Sequence, residues 1–147
     1  PFPIIRLGEV YLNYAEALNE YYGESRQDEV LEYLNAIRER AGIPGYEDSY
    51  SQEEMREMIR HERKIELCYE CQRFFDVRRW FIAHGPNGAF NHNEYGLDMS
   101  KGENATDKEF FSMTEAAIKR FDIKHYLMPI KASECELNTE LVQAPFY

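Results

Sequence analysis

From Ser51 to Ala83 the chain runs without a glycine or a proline, and the first break is Gly85-Pro86. Ser51 and Glu54 stand at capping-box spacing, in which two side chains satisfy free backbone N–H groups at a helix start. The pattern predicts one long central helix over 51–83. At about 100° per residue, Glu62, Glu66, Glu70, Arg73 and Asp76 share one sector of it, with Arg63 at the edge. Met55, Ile59, Tyr69, Val77 and Trp80 fall in the same sector. A solvated face does not interleave its charges with a methionine, an isoleucine and a tryptophan. The stripe therefore reads as half-buried ion pairs at i,i+3 spacing: Arg63 with Glu66, Glu70 with Arg73, Arg73 with Asp76, and Asp76 with Arg79. Crowded carboxylates can also form an acid–base site. Here guanidinium and carboxylate are almost equally supplied, which favours a structural network that sets how the helix docks.

Upstream, residues 4–22 predict a first helix. Leu7, Tyr11, Tyr14, Leu18 and Tyr21/Tyr22 recur at steps of three and four and form one apolar stripe. Ala15 and Ala17 are small enough to admit a neighbouring helix. Gly23 ends the helix, and Ser25 with Asp28 makes a second capping box. A second helix follows with Val30, Leu31, Leu34, Ile37 and Ala41 inward, Gly42 as its C-cap and Pro44 forbidding continuation. Two antiparallel helices with a short turn resemble one tetratricopeptide unit. No second copy is present, so a scaffold of stacked repeats is the weaker of two functional readings.

Beyond the central helix the texture changes. His84 to Gly96 is rich in Gly, Asn and turn signals. Phe110-Phe111 and Ile118–Phe121 are expected as short strands, Tyr126–Ile130 as extended chain before and around Pro129. The tail to Tyr147 is expected to be irregular, packed by Leu137, Leu141, Val142 and Phe146. The fold class is thus mainly α: a helical hairpin over 1–42, the central helix over 51–83, and a loop-rich region over 84–147 with at most short strands.

A chain of 147 residues is long enough for one real core. Twenty-seven acidic residues against seventeen basic ones give a net charge of −10, a surface that repels nucleic-acid phosphates. No apolar run approaches the roughly 20 residues of a membrane-spanning helix. Cys68-Tyr-Glu-Cys71 matches C-x-x-C, but it sits in a helical pattern without a second pair, so buried inert thiols are expected. Four residues after His61 stands Ile65 rather than a second histidine, so His61-Glu62 does not complete a zinc-protease motif. No cofactor, metal site or catalytic constellation emerges. For a ligand, the 84–96 loop offers Phe90, Asn91, Asn93 and Tyr95, an aromatic and amide mixture on a turn-rich element; the alternative is an ordinary solvated loop with Phe90 tucked beneath it.

Glu62-Arg63-x-x-Glu66-Leu67-x-x-Glu70-x-x-Arg73-Phe74-Phe75-Asp76-x-Arg78-Arg79-Trp80 strongly resembles the C-terminal signature of the SusD/RagB family. Pro3–Leu18 resembles that family's "IRLAEVYLNYAEA" helix, Leu34–Gly42 its "LNxIRxRAG" segment, and Tyr126–Ile130 with Leu141–Tyr147 its closing "YLxPIP…LxQNPGY". The chain departs at three points: Cys71 replaces the Gly of "EGxR", Lys131 the Pro after "PI", and Gln143-Ala-Pro-Phe-Tyr147 the "QNPGY" ending. The resemblance implies a non-catalytic surface lipoprotein of Bacteroidetes-type bacteria that binds nutrients, mostly glycans, and works with a SusC-like TonB-dependent transporter in polysaccharide utilisation. It further implies that residues 1–147 are the C-terminal portion of a larger domain, that a missing N-terminal part carries the export signal and lipid anchor at the outer membrane, and that much of the ligand contact comes from there.

Overall fold

The computed structural model describes residues 5–47, 49–104 and 106–147, with the backbone alone at 110. The expected first helical residue, Ile4, lies outside the described residues. The architecture is mainly α. Helices α1 (Leu7–Tyr22), α2 (Gln27–Arg40), α3 (Gln52–Glu66), α4 (Gln72–Arg79) and α5 (Ala132–Leu137) are accompanied by strands β1 (Asn93–Asp98) and β2 (Ser112–Ile118) and by short 3-10 turns. The chain divides between Phe74 and Phe75, within α4, into two compact units.

In the first unit α1 and α2 form the expected hairpin. Gly23, at φ +58, ends α1. Gly42, at φ +73, closes α2: its N–H donates to Glu39 O (2.9 Å) and that of Ile43 to Arg38 O (3.0 Å), the paired bonds of a Schellman ending. The second capping box does not form. Gly23–Arg26 is a 3-10 turn, and the Ser25 hydroxyl donates back to Tyr22 O at 2.7 Å instead of capping α2. The buried face of α1 is also narrower than its apolar stripe. Leu12, Ala15, Leu18 and Asn19 are buried, while Leu7, Tyr14, Tyr21 and Tyr22 are exposed and Ala17 faces outward. Ala15 decides this, because its small side chain lets the neighbours close on that line. The core joins these residues to Val30, Leu34, Ile37, Met55, Ile59 and Leu67. Burying a side chain of this size contributes about 1.5–3 kcal/mol. Asn19 is buried but satisfied: it donates to Gln52 O (3.1 Å) and its own carbonyl accepts from Gln52 Nε2 (2.7 Å).

The Ser51–Glu54 capping box opens α3 as expected. The single central helix over 51–83 does not hold: α3 stops at Glu66 and α4 begins at Gln72, with Tyr69 (φ +65) and Cys71 (φ +62) in the left-handed region between them. The cause is a long-range contact. The Arg6 guanidinium donates to the main-chain oxygen of Glu66, which a continuous helix would reserve for the N–H of Glu70. That N–H turns to Leu67 O instead (3.1 Å). Tyr69 consequently points fully into solvent rather than into the predicted stripe. Cys68 and Cys71 are exposed for the same reason, not buried.

In the second unit, α4 ends in another Schellman pair, Phe81 N–H to Arg78 O (3.1 Å) and Ile82 N–H to Val77 O (3.1 Å). The core there is Val77, Ala83 and Phe121, flanked by Ile82, Ala89, Phe90 and Tyr126. The strands fall at 93–98 and 112–118, not at the expected places: residues 108–111 are a 3-10 turn, and residues 119–121 follow the end of β2. They pair antiparallel, Tyr95 opposite Glu115 and Leu97 opposite Met113, with a bulge between Glu94 and Tyr95. Leu127 is extended, but Tyr126 closes a 3-10 turn. Gln143 ties the ends of this region together, receiving the Ile130 N–H (2.8 Å) and donating to Ile130 O (2.7 Å). The tail is not packed by its apolar residues. Leu137, Leu141, Val142 and Phe146 are all exposed, and α5 takes up 132–137.

Candidate functional site

The predicted ion network is built across elements rather than along one helix. Glu62, buried on α3, accepts from the Arg38 guanidinium of α2 and from the Tyr46 hydroxyl (2.8 Å). Arg63, equally buried, donates to Asn13 Oδ1 (2.6 Å) and stands 3.9 Å from Glu16 on α1. Glu66 receives Arg6 and Arg40 (2.7 Å). Arg6 forks onto both oxygens of Glu70 (2.9 Å each from Nε). Asp76 and Arg79 are paired as the spacing predicts (2.9 Å), and Arg73 is half-buried in the first turn of α4. The partners of Arg63, Glu66 and Glu70 thus differ from the i,i+3 expectation, because Arg6 ahead of α1, Asn13 and Glu16 on α1, and Arg40 on α2 reach them across the fold.

The electrostatics follow that geometry. Hydrogen bonding to Arg6 holds the Glu70 carboxyl below its usual range, and Glu70 and Glu66 together raise Arg6 above its own. Burial, reinforced by the bond to Glu62, pushes the Tyr46 phenol up to about 12. These groups are satisfied donors and acceptors locked against each other.

One concave surface lies in the second unit. A cavity of about 760 Å³ is lined by His84, Gly85, Pro86, Asn91, Arg120, Phe121, Asp122 and Ile123. Its walls come from the loop after α4 and the segment after β2, and Asn91 joins them. The Asn91 amide donates to Gly85 O (2.8 Å) and Phe121 O (3.0 Å) and accepts the Phe121 N–H. Both amide protons are therefore committed to backbone, and Asn91 shapes the cavity. Gly88 allows the loop to close, since a Cβ there would sit 2.3 Å from His84 O. Tyr126 fixes the imidazole at the wall. Its hydroxyl receives the Ala83 N–H (2.8 Å) and lies 2.9 Å from His84 Nδ1, a hydrogen bond that fixes the orientation of the ring. Arg78 holds the same segment by donating to His125 O (2.7 Å) and Tyr126 O.

The four loop residues singled out as ligand contacts are not gathered together. Asn91 lines the cavity, and half-buried Phe90 leans on Phe121 with ring centres 5.6 Å apart. Asn93 and Tyr95 lie on β1, where Asn93 donates to Glu115 and the Tyr95 ring is exposed. The sequence reading missed Arg120, Phe121 and Asp122, which stand thirty residues further on. A charged–aromatic–charged triplet beside a turn was the signal available there. Arginine, imidazole, carboxylate and phenyl groups around one open cavity can grip hydroxyls by hydrogen bonds and an apolar face by contact. Among the described residues no cluster of three or more His, Cys, Asp or Glu could hold a metal ion.

Comparison with known proteins bears on what enters such a cavity. The family model described as the SusD family matches residues 1–147. The SusD-like protein P2 of Formosa agariphila is 38% identical across 57% of this chain and 18% of its own length, and SusD-like protein P25 of the same organism is 40% identical across 54% and 15%. A solved SusD-like protein of Bacteroides fragilis superposes with a TM-score of 0.77 at 32% identity, over 98% of this chain and 25% of its own. A solved SusD-like carbohydrate binding protein of the same organism gives 0.71 at 30% identity, over 93% and 28%. The chain spans under a fifth of the length of these curated relatives and roughly a quarter of these solved ones.

Proposed function

This chain belongs to the SusD family, and from that premise we propose that it is part of a cell-surface nutrient-binding protein whose ligand is an oligosaccharide. The observation that carries the reading is the cavity lined by His84, Arg120, Phe121 and Asp122, whose polar groups and phenyl ring match the hydroxyls and apolar faces of sugars. A relative of the same fold is a carbohydrate binding protein. The role is non-catalytic: in the first unit, buried Glu62 and half-buried Glu66 are each committed to a guanidinium or a phenol. The protein delivers its ligand to a SusC-like TonB-dependent transporter and is held at the outer face of the outer membrane by a lipid anchor outside residues 1–147. A repeat-type protein scaffold is the weaker reading, since one helical hairpin is all that residues 7–40 supply.

Affinity gel electrophoresis through dextran, laminarin, galactomannan and alginate tests the proposal. Retardation in at least one polysaccharide is the expected result. Unchanged mobility in all of them, with a short-peptide panel bound instead, would replace glycan by peptide as the ligand class.

A further inference from the structure

Phe81 occupies a position where the backbone asks for glycine. It is the C′ residue of the Schellman ending of α4, with φ +59. Glycine adopts this conformation without a Cβ penalty, whereas a bulky residue at positive φ is a genuine outlier. The phenyl ring does not relieve that strain by burial, for it is 53% exposed. It is nonetheless held in place. It stacks on Tyr126 with ring centres 4.4 Å apart and planes 26° from parallel, and its centre lies 4.7 Å from the imidazole of His84. Tyr126 is itself pinned through its hydroxyl by Ala83 N–H and His84. His84 is a wall of the cavity. A flat, rigid, half-exposed ring thus stands one side chain away from the cavity's hydrogen-bonding groups.

Strain at a backbone outlier persists where the surrounding structure over-determines it, and such outliers gather at ligand clamps. Resting on the glycan-binding reading above, we infer that Phe81 is the stacking platform of the sugar site. One pyranose ring lies with its C–H face on the outer face of Phe81, and the next reaches the imidazole of His84, Arg120 and Asp122 in the cavity. The negative face of an aromatic ring attracts the weakly positive C–H edges of a pyranose. Stacking on Tyr126 removes the ring's own motion in advance, so little ordering is left to be done on binding.

The inference separates stability from binding, which makes it testable in the full chain. Phe81→Gly relieves the left-handed strain while deleting the ring; Phe81→Ala deletes the ring and keeps the strain; Phe81→Trp keeps an aromatic face. The polysaccharide that retards the parent chain most is used as the probe. The expected result is that Phe81→Gly melts above Phe81→Ala, yet both bind the probe roughly tenfold or more weakly than the parent. Phe81→Trp should stay within about threefold of the parent, less than 1 kcal/mol by the same conversion. Parent-like retardation of Phe81→Gly would overturn the inference while leaving the glycan reading intact. Loss of binding in Phe81→Trp equal to that in Phe81→Gly would also overturn it, since a stacking face would then not be what matters. A parent chain that no polysaccharide retards would remove the reading and the inference together.

Discussion

Tyr46 offers a stability test in which both size and pH dependence follow from the contacts. Its hydroxyl donates to Oε1 of buried Glu62 at 2.8 Å, and the Arg38 guanidinium, 4.1 Å from the ring centre, donates both to that carboxylate oxygen and to the Tyr46 hydroxyl oxygen (3.1 Å). Tyr46→Phe removes the phenol and leaves Glu62 with Arg38 alone. A hydrogen bond to a charged group contributes about 1.5–3 kcal/mol, and each kcal/mol moves the midpoint by about 2–4 °C for a chain of this size. The variant should therefore melt roughly 3–12 °C below the parent at pH 8. Burial first, and Glu62 second, raise the folded phenol from 10 to about 12. Its folded pKa exceeds its unfolded one, so the associated stability is present below pH 10 and is lost as pH rises through 12. Two pH units correspond to under 3 kcal/mol, and partial exposure of the ring reduces this to on the order of 1–2 kcal/mol. Urea unfolding at pH 8, 10 and 11 should show the gap between parent and Tyr46→Phe narrowing as pH rises. A gap that stays constant from pH 8 to 11 would refute the assigned proton and the bond to Glu62.

Other substitutions probe the backbone. Cys71 sits at φ +62 on the turn between α3 and α4, so Cys71→Gly should raise the unfolding free energy by on the order of 0.5–1 kcal/mol after the extra freedom of the unfolded glycine is subtracted, read as a higher melting temperature. Gly88→Ala should do the opposite. Its Cβ would meet His84 O at 2.3 Å and Ala83 O at 2.5 Å, main-chain atoms that cannot swing away. The expected loss is roughly 2–4 kcal/mol, in the range of strain at a special backbone position, and amide exchange at Ala89 and Phe90 should accelerate with it.

The helical hairpin and the start of α3 were legible because their signals are local. Gly23, Gly42 and the Ser51–Glu54 box act within one turn of chain, and each stands where the sequence places it. The end of α3 was not legible, because Arg6, sixty residues away, captures the carbonyl of Glu66. The end of α4 was hidden for another reason: Phe81 fills a position that glycine usually marks. The strands expected at 110–111 and 118–121 flank β2, and β1 begins within the stretch expected as a loop. β2 is exposed on most of its length and β1 is half-buried to exposed throughout, so neither needs a strong alternation of apolar and polar residues and little periodicity was there to be read.

The candidate site divides in the same way. Asn91 was picked out as an amide on a turn-rich loop, and it does line the cavity, but its hydrogen bonds show a clasp between two segments. Arg120, Phe121 and Asp122 join it only because that clasp draws residue 121 onto the 84–91 loop. By itself the sequence determined the mainly helical class, the acidic surface and the charged residues that sit at helix contacts, since these depend on composition and on spacing within a few turns. The tertiary structure alone decided which charge meets which, where the central helix breaks, and which side chains surround the cavity. Those outcomes are set by contacts between residues sixteen to sixty-four positions apart, and no local pattern encodes a distance across the fold.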